Sequence, residues 1–151
     1  MPFLVKATLE QIATYLQRSA YFGQVTIGEP KAPPDGEKLA AAVFMRSVAV
    51  AQLTLNSTIE SHVLNIRIYR NMLHEPVDAI EFEVAEAVSE VSNDLLGDVN
   101  LGDRVRAIDV GGIHSAPYRV DWGYVQVNQT MFRTADIIFG LIVDDSATLG
   151  A

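Results

Sequence analysis

The sequence predicts an α+β fold: a twisted, mainly antiparallel sheet of about five strands packed by two long helices. Three observations lead there. Two stretches place apolar residues at three- and four-residue steps, the period of one helix face. Several others alternate apolar and polar residues, the period of a half-buried strand. They run in the order helix, three strands, helix, two or three strands, and two amphipathic helices layered on one sheet bury those faces most simply.

The first helix is expected from about Thr8 to Tyr21, in "ATLEQIATYLQRSAYFG", with an earlier start near Pro2 as the alternative. Thr8 followed by Gln11 is a capping-box pattern. Leu9, Ile12, Leu16 and Ala20 repeat at helical steps, and Gly23 closes the segment. "QVTIG" reads as a short strand. "EPKAPPDGEK" reads as a polar loop, kept extended by its prolines and suited to project. Leu39 to Leu55 is assigned to strand through Val43, Phe44, Val48 and Val50, although its alanines blur the period. In "HVLNIRIYR", Leu64, Ile66 and Ile68 face one way while Asn65 and Arg67 face the other.

The second helix is the segment "EPVDAIEFEVAEAVSEVSNDLLGD", Glu75 to Asp98. It holds eight acidic residues and no Lys or Arg. Pro76 suits its start and Gly97 its end. Ile80, Val84, Val88, Val91 and Leu95 draw an apolar stripe. Glu83, Glu86, Glu90 and Asp94 draw an acidic one, expected on the side away from the core. Like charges four residues apart cost only a few tenths of a kcal/mol each. Burying five apolar side chains gains on the order of several kcal/mol, so the charge is tolerated without demanding a function. A solvated face is its plainest reading; a face that lets DNA pass without adhering is another.

The rest reads as β structure. "RVRAIDV" is a strand and "GGIHSAP" a turn-rich link. In "YRVDWGYVQV", Tyr118, Val120, Trp122 and Tyr124 alternate with Arg119, Asp121 and Gly123. Asn128-Gln129 reads as a tight turn. "TMFRTADIIFGLIVDD" is apolar on both faces towards its end, as a central strand is.

Composition limits the chemistry. The 151 residues suit a single domain, 1–151, with a loose tail from about 146. The net charge of −8 is the wrong sign for gripping phosphates. Without cysteine there is no disulfide, thiolate metal site or cysteine nucleophile. No signal peptide and no apolar run long enough to span a bilayer is visible, so a soluble protein is expected.

His62, His74 and His114 are not paired at ligand spacing, and "HEPVD" lacks the second His of a zinc-protease motif. Gly111-Gly112 lacks the Lys of a phosphate loop and reads as backbone freedom at a strand end. Asp144 and Asp145 could hold a cation, but no further oxygen ligands accompany them. Neither an active site nor a cofactor motif is expected.

Three segments resemble the tail terminator proteins of long non-contractile-tailed bacteriophages, also called tail completion or neck proteins. They are "GEPKAPPDGEKLAAAVFM", "HVLNIRIYRNMLHEPVDAIEFEVAEAVSEVSNDLLGD" and "VRAIDVGG…WGYVQVNQTMFRTADIIFGLIVDD". Their order carries the resemblance, and they cover most of the chain. It implies a structural, non-enzymatic virion protein that closes into a ring, expected to be a hexamer. The ring caps the finished tail tube and then meets the head-tail connector proteins. DNA passes through its hole without specific binding. The resemblance places the protein in the tail or neck of the virion, and in host cytoplasm during assembly, with no membrane partner.

Head-to-tail contacts join different patches of one surface. The candidates are Glu29, Pro30, Lys31, Pro33 and Pro34 in the proline-rich loop, with Arg67, Tyr69 and Arg133 on strands. A head-side neck adaptor, an acidic module that mimics DNA, and an enzyme with a carboxylate site are the competing readings.

Overall fold

The structure, a computed structural model, describes residues 5–31, 33–34, 38–53, 58–73, 76–98, 101, 107–113 and 116–144. In chain order these form α1 (Val5–Arg18), β1 (Phe22–Ile27), β2 (Leu39–Leu53), β3 (Thr58–Asn71), α2 (Val77–Leu96), β4 (Ala107–Ile108), β5 (Arg119–Val127) and β6 (Thr130–Asp144). Two helices and one curled, mixed sheet make an α+β architecture. The expected tail from about 146, and residues 104–106 of the expected strand "RVRAIDV", lie outside the described residues.

The sheet is built around β3 and β6. They pair antiparallel from Ile59 opposite Asp144 to Asn71 opposite Phe132. On one side β2 pairs antiparallel with β3, and β1 pairs with β2. On the other side β5 follows β6 from Thr130 to Ile138, and the short β4 takes over at Leu141 and Ile142.

The β1–β2 pair is parallel, which the mainly antiparallel expectation did not contain. A parallel neighbour needs a connection that carries the chain back along the strand, and the proline-rich loop does this. Gly28 begins it at a φ of 89°, a backbone state that glycine reaches without penalty. The β5–β6 hairpin turns at Asn128 and Gln129, both with positive φ (46° and 73°), as a tight two-residue turn requires.

One face of the sheet carries both helices. Ile12 and Leu16 of α1, with Ile80, Val84, Ala87, Val91 and Leu95 of α2, pack over Leu64, Ile66, Ile68, Ile137 and Phe139. Helix α1 begins between the two starts its sequence offered and ends three residues earlier than expected. Thr8 lies buried inside it, so it is no cap. The chain leaves α1 through a turn in which Ser19 N–H donates to the Leu16 carbonyl at 3.1 Å. Gly23 then falls within β1 and not at the helix end. In α2 the buried stripe runs through Ala87, and Val88 is only partly buried at its flank. Pro76 stands at the N-cap, where its carbonyl accepts from Ile80 N–H at 3.0 Å.

The other face is not simply wet, so β3 is not the half-buried strand its alternation suggested. Asn65 is 0% exposed and Tyr69 2%. Ala40 and Ala42 of β2 leave room for the rings of Tyr69 and Phe132, which meet edge to face at 5.9 Å. Val125 and Val127 of β5 pack against this second, smaller cluster.

Burial is uneven along the long strands. From Arg46 to Val50, β2 is exposed, with Val48 at 53% and Val50 at 60%. Leu64→Ala should therefore cost about 2–5 kcal/mol through the cavity it leaves. Val48→Thr should stay within about 0.5 kcal/mol of wild type. Urea unfolding followed by circular dichroism measures both; equal costs would contradict the placement of the core.

Candidate functional site

No helix of the described residues is long and apolar enough to cross a membrane. Among the same residues no group of three or more His, Asp or Glu side chains converges on a point. His74, His114 and Asp145 lie outside the described residues. His62 is buried at 6% exposure, with Nε2 3.3 Å from Glu60 Oε1. Gly112, at φ 71°, turns the chain after β4 in a tight bend. Its N–H donates to the Asp109 carbonyl at 3.2 Å, and the Ile113 N–H donates to Asp109 Oδ1 at 2.9 Å. A side chain at 112 would run into Pro117. Gly112 is thus a turn residue. Three parts of the surface gather the residues singled out in the sequence.

The first is the acidic side of α2. At about 100° per residue, Glu83, Glu90 and Asp94 lie within roughly 100° of the centre of the buried stripe, and only Glu86 nears the far side. The acids therefore flank the core and do not oppose it. Phe82, Ala85, Ser89, Asn93 and Leu96, exposed and uncharged, share the outer side of the helix with Glu86. The acids are also not left without cations. Arg70 of β3 sits 3.4 Å from Glu83, and Arg133 of β6 sits 2.5 Å from Glu81. The rest of the acidic side turns towards α1. Tyr21 donates to Glu86 at 3.3 Å, and Tyr15 donates to Asp98. Tyr15, Arg18, Asn93, Asp94, Gly97 and Asp98 line a shallow open cleft between the two helices.

The second is the helix-free face, where Arg67 is a clamp. It donates through Nε to Asp136 Oδ1 at 2.6 Å and through Nη1 to Glu29 Oε1 at 3.0 Å. Asn65 donates to the same Asp136 oxygen at 3.1 Å, and Arg46 donates to Asn65 Oδ1 at 3.3 Å. The Arg67 guanidinium also lies 5.5 Å from the centre of the Phe44 ring, at cation–π range. Strands β2, β3 and β6 and the loop are thereby tied together. The proline-rich loop is held back against the sheet by Glu29. Pro34 is buried, Pro30 and Pro33 are half-buried, and Glu29 and Lys31 remain exposed. Tyr69, considered a surface candidate from the sequence, contributes its ring to the inside of the second cluster.

The third surrounds Arg133 on the helix-bearing face. Its guanidinium donates to Glu81 Oε1 and to the Gly123 carbonyl at 3.1 Å. It lies 4.6 Å from the Tyr124 ring centre and 5.6 Å from that of Trp122. Tyr118 and Val120, on the same side of β5, pack into the core, and Tyr118 donates to Ser92 of α2 at 2.8 Å. Trp122 and Tyr124 continue that row but are 42% and 60% exposed. Alternation grouped the four on one side of the strand but carried no information on how far each is exposed. Counting back from the Asn128-Gln129 turn sets Tyr124 opposite Arg133, which was the available signal.

The chain matches no protein-family model and no curated protein.

Two outcomes follow from this geometry. Asp136→Asn keeps the shape but removes the charge that Arg67 and Asn65 share, and should cost about 1–3 kcal/mol in thermal or urea unfolding. Three phenols should also make stability fall in alkali. Donation to Asp98, then burial, raises the Tyr15 pKa above its ordinary 10.0; burial raises Tyr69 and Tyr118. The folded state then keeps protons that the unfolded state has lost, so stability should hold below pH 10.0 and fall as pH rises through the folded values. Phenolate absorbance alongside circular dichroism tests this. Ionisation of all tyrosines near the ordinary value, before any unfolding, would contradict it.

Proposed function

We propose that this chain is a structural virion protein that caps the phage tail tube as a ring, stops its elongation and joins the tail to the head. The observation that carries the reading is the order of the three segments that resemble tail terminator proteins. Those segments supply the proline-rich loop, the first half of β2, most of β3, α2, most of β5 and all of β6. A packed α+β subunit whose distinctive groups lie on its surface suits assembly. In this reading the partners are further copies of the chain, the tail tube protein and the head-tail connector proteins. Catalysis has no part in it. The ring forms in host cytoplasm and remains in the virion.

The acidic balance fits a conduit through which DNA moves without sticking. Glu81 and Glu83 are engaged by arginines, so Glu86, Glu90 and Asp94 are the acids of α2 best suited to line such a passage.

Electron microscopy of particles assembled without the protein tests the proposal. Tails of irregular length that fail to join heads are expected. Tails of normal length that cannot join heads would favour the head-side adaptor. Normal tails on normal heads would reject both.

A further inference from the structure

We propose that copies of this chain join edge to edge, β2 of one copy pairing antiparallel with β5 of the next, so that the sheet runs on from copy to copy. This names the joint of the ring and rests on the ring reading above. Four observations carry it.

Both edges are open. The parallel strand β1 covers β2 only from Leu39 to Val43, yet β2 continues to Leu53. On the far side of the sheet β5 bonds to β6, and among the described residues no strand pairs with its outer edge. A row of unpaired backbone N–H and C=O groups is a template for a further strand. Register shifts at Met45/Ser47 and Val50/Gln52 bracket a regular run from Ser47 to Val50 on the first edge. On the second, Val127 and Thr130 close the two-residue hairpin, so odd-numbered residues of β5 bond to β6 and the backbone groups of Trp122 and Tyr124 point outward.

The directions agree. Each step from β2 to β3, to β6 and to β5 is antiparallel, so β2 and β5 run opposite ways. Copies set side by side in one orientation therefore meet through an antiparallel ladder, the more stable kind. Within one copy β3 and β6 hold the two edges apart. A contact between unlike patches is heterologous, and it repeats into a ring when its rotation closes.

The side chains match. Val48 and Val50 lie opposite His62 and Glu60, on the side of β3 that carries Leu64 and Ile66 to the helices. There they are 53% and 60% exposed. Trp122 and Tyr124 stand exposed on the same face of the sheet, opposite Ala135 and Arg133. Setting Val48 opposite Tyr124 and Val50 opposite Trp122 makes two aromatic–β-branched pairs, a combination that stabilises neighbouring strands. The same register sets Ala49 opposite Gly123 on the other face, where both are small.

The charges permit it. Ser47–Leu53 and Trp122–Val127 contain no Asp, Glu, Lys or Arg. Two copies of a chain with net charge −8 repel each other least along such stretches. Neither stretch carries the Lys or Pro that commonly guards an exposed edge. The strand that fits each edge is thus on the chain itself.

Cross-linking of the intact chain tests the joint, since it has no cysteine of its own. Ala49→Cys and Gly123→Cys are made on separate copies, mixed and oxidised. A Cβ at 123 meets nothing closer than Thr134 Oγ1 at 3.5 Å, so the fold admits it. Residues directly opposite in an antiparallel pair lie within disulfide reach. The mixture should form the 49–123 dimer much faster than Ala49→Cys mixed with Ile113→Cys, a control at an 83% exposed site. Should Gly123→Cys not fold, Val48→Cys with Tyr124→Cys replaces the pair. In sedimentation velocity, Val48→Lys should keep the wild-type fold by circular dichroism but weaken assembly about tenfold or more. A mixture that forms no dimer, a control that cross-links as fast, or Val48→Lys assembling as wild type does would each overturn the joint. Tail length in particles lacking the protein still decides the function, so loss of the joint and loss of the terminator reading remain separate results.

Discussion

The antiparallel ladder between β3 and β6 is the constraint on which the other elements depend. Its two strands run side by side from Ile59 to Asn71 and from Phe132 to Asp144, and every other strand is added to one edge or the other. One face of the ladder, through Leu64, Ile66, Ile68, Ile137 and Phe139, is fully buried, and the two helices cover it. The other face carries Arg67 opposite Asp136 and Tyr69 opposite Thr134. A slip of one residue would turn Ile66 and Ile68 away from the helices and Arg67 towards them. The register is therefore held by burial on one face and by an ion pair on the other.

The same ladder explains how an acidic helix rests on this sheet. No base lies within the helix segment, yet its early acids meet Arg70 and Arg133 at the ends of β3 and β6. Arg70 is nearly buried and Glu83 is not, so the pair places the better-hydrated partner outward. Farther along, the phenols of Tyr21 and Tyr15 donate to Glu86 and Asp98. Charge that looked unbalanced along the chain is partly matched in space. Glu81 and Glu83 are matched where the helix joins the sheet, and the outward side from Phe82 to Leu96 carries Glu86 as its one acid.

Periodicity made much of the architecture legible. The stripe Ile80–Val84–Val91–Leu95 and the row Leu64–Ile66–Ile68 report burial directly, because regular spacing places those residues on one face whatever they later pack against. The tight turn at Asn128-Gln129 was legible because few side chains tolerate positive φ. Less legible was whatever depended on a partner distant in sequence. The parallel pairing of β1, the burial of Asn65 and Tyr69, and the exposure of Trp122 and Tyr124 are of this kind. Alternation says which face a residue takes; it cannot say whether that face is covered. Of the surface candidates, Arg67 and Arg133 were recognised as side chains, but their partners Asp136 and Glu81 are 69 and 52 residues away along the chain.

The sequence by itself determined the helices, most of the strands, one face of each, and the acidic balance, because these follow from local spacing and composition. Only the tertiary structure decided which strands are neighbours, where the second cluster forms, and which charges are matched. Those outcomes depend on side chains brought together across the sheet, where a partner tens of residues away sets whether an arginine is a clamp, a neutralising ion or the centre of an aromatic platform.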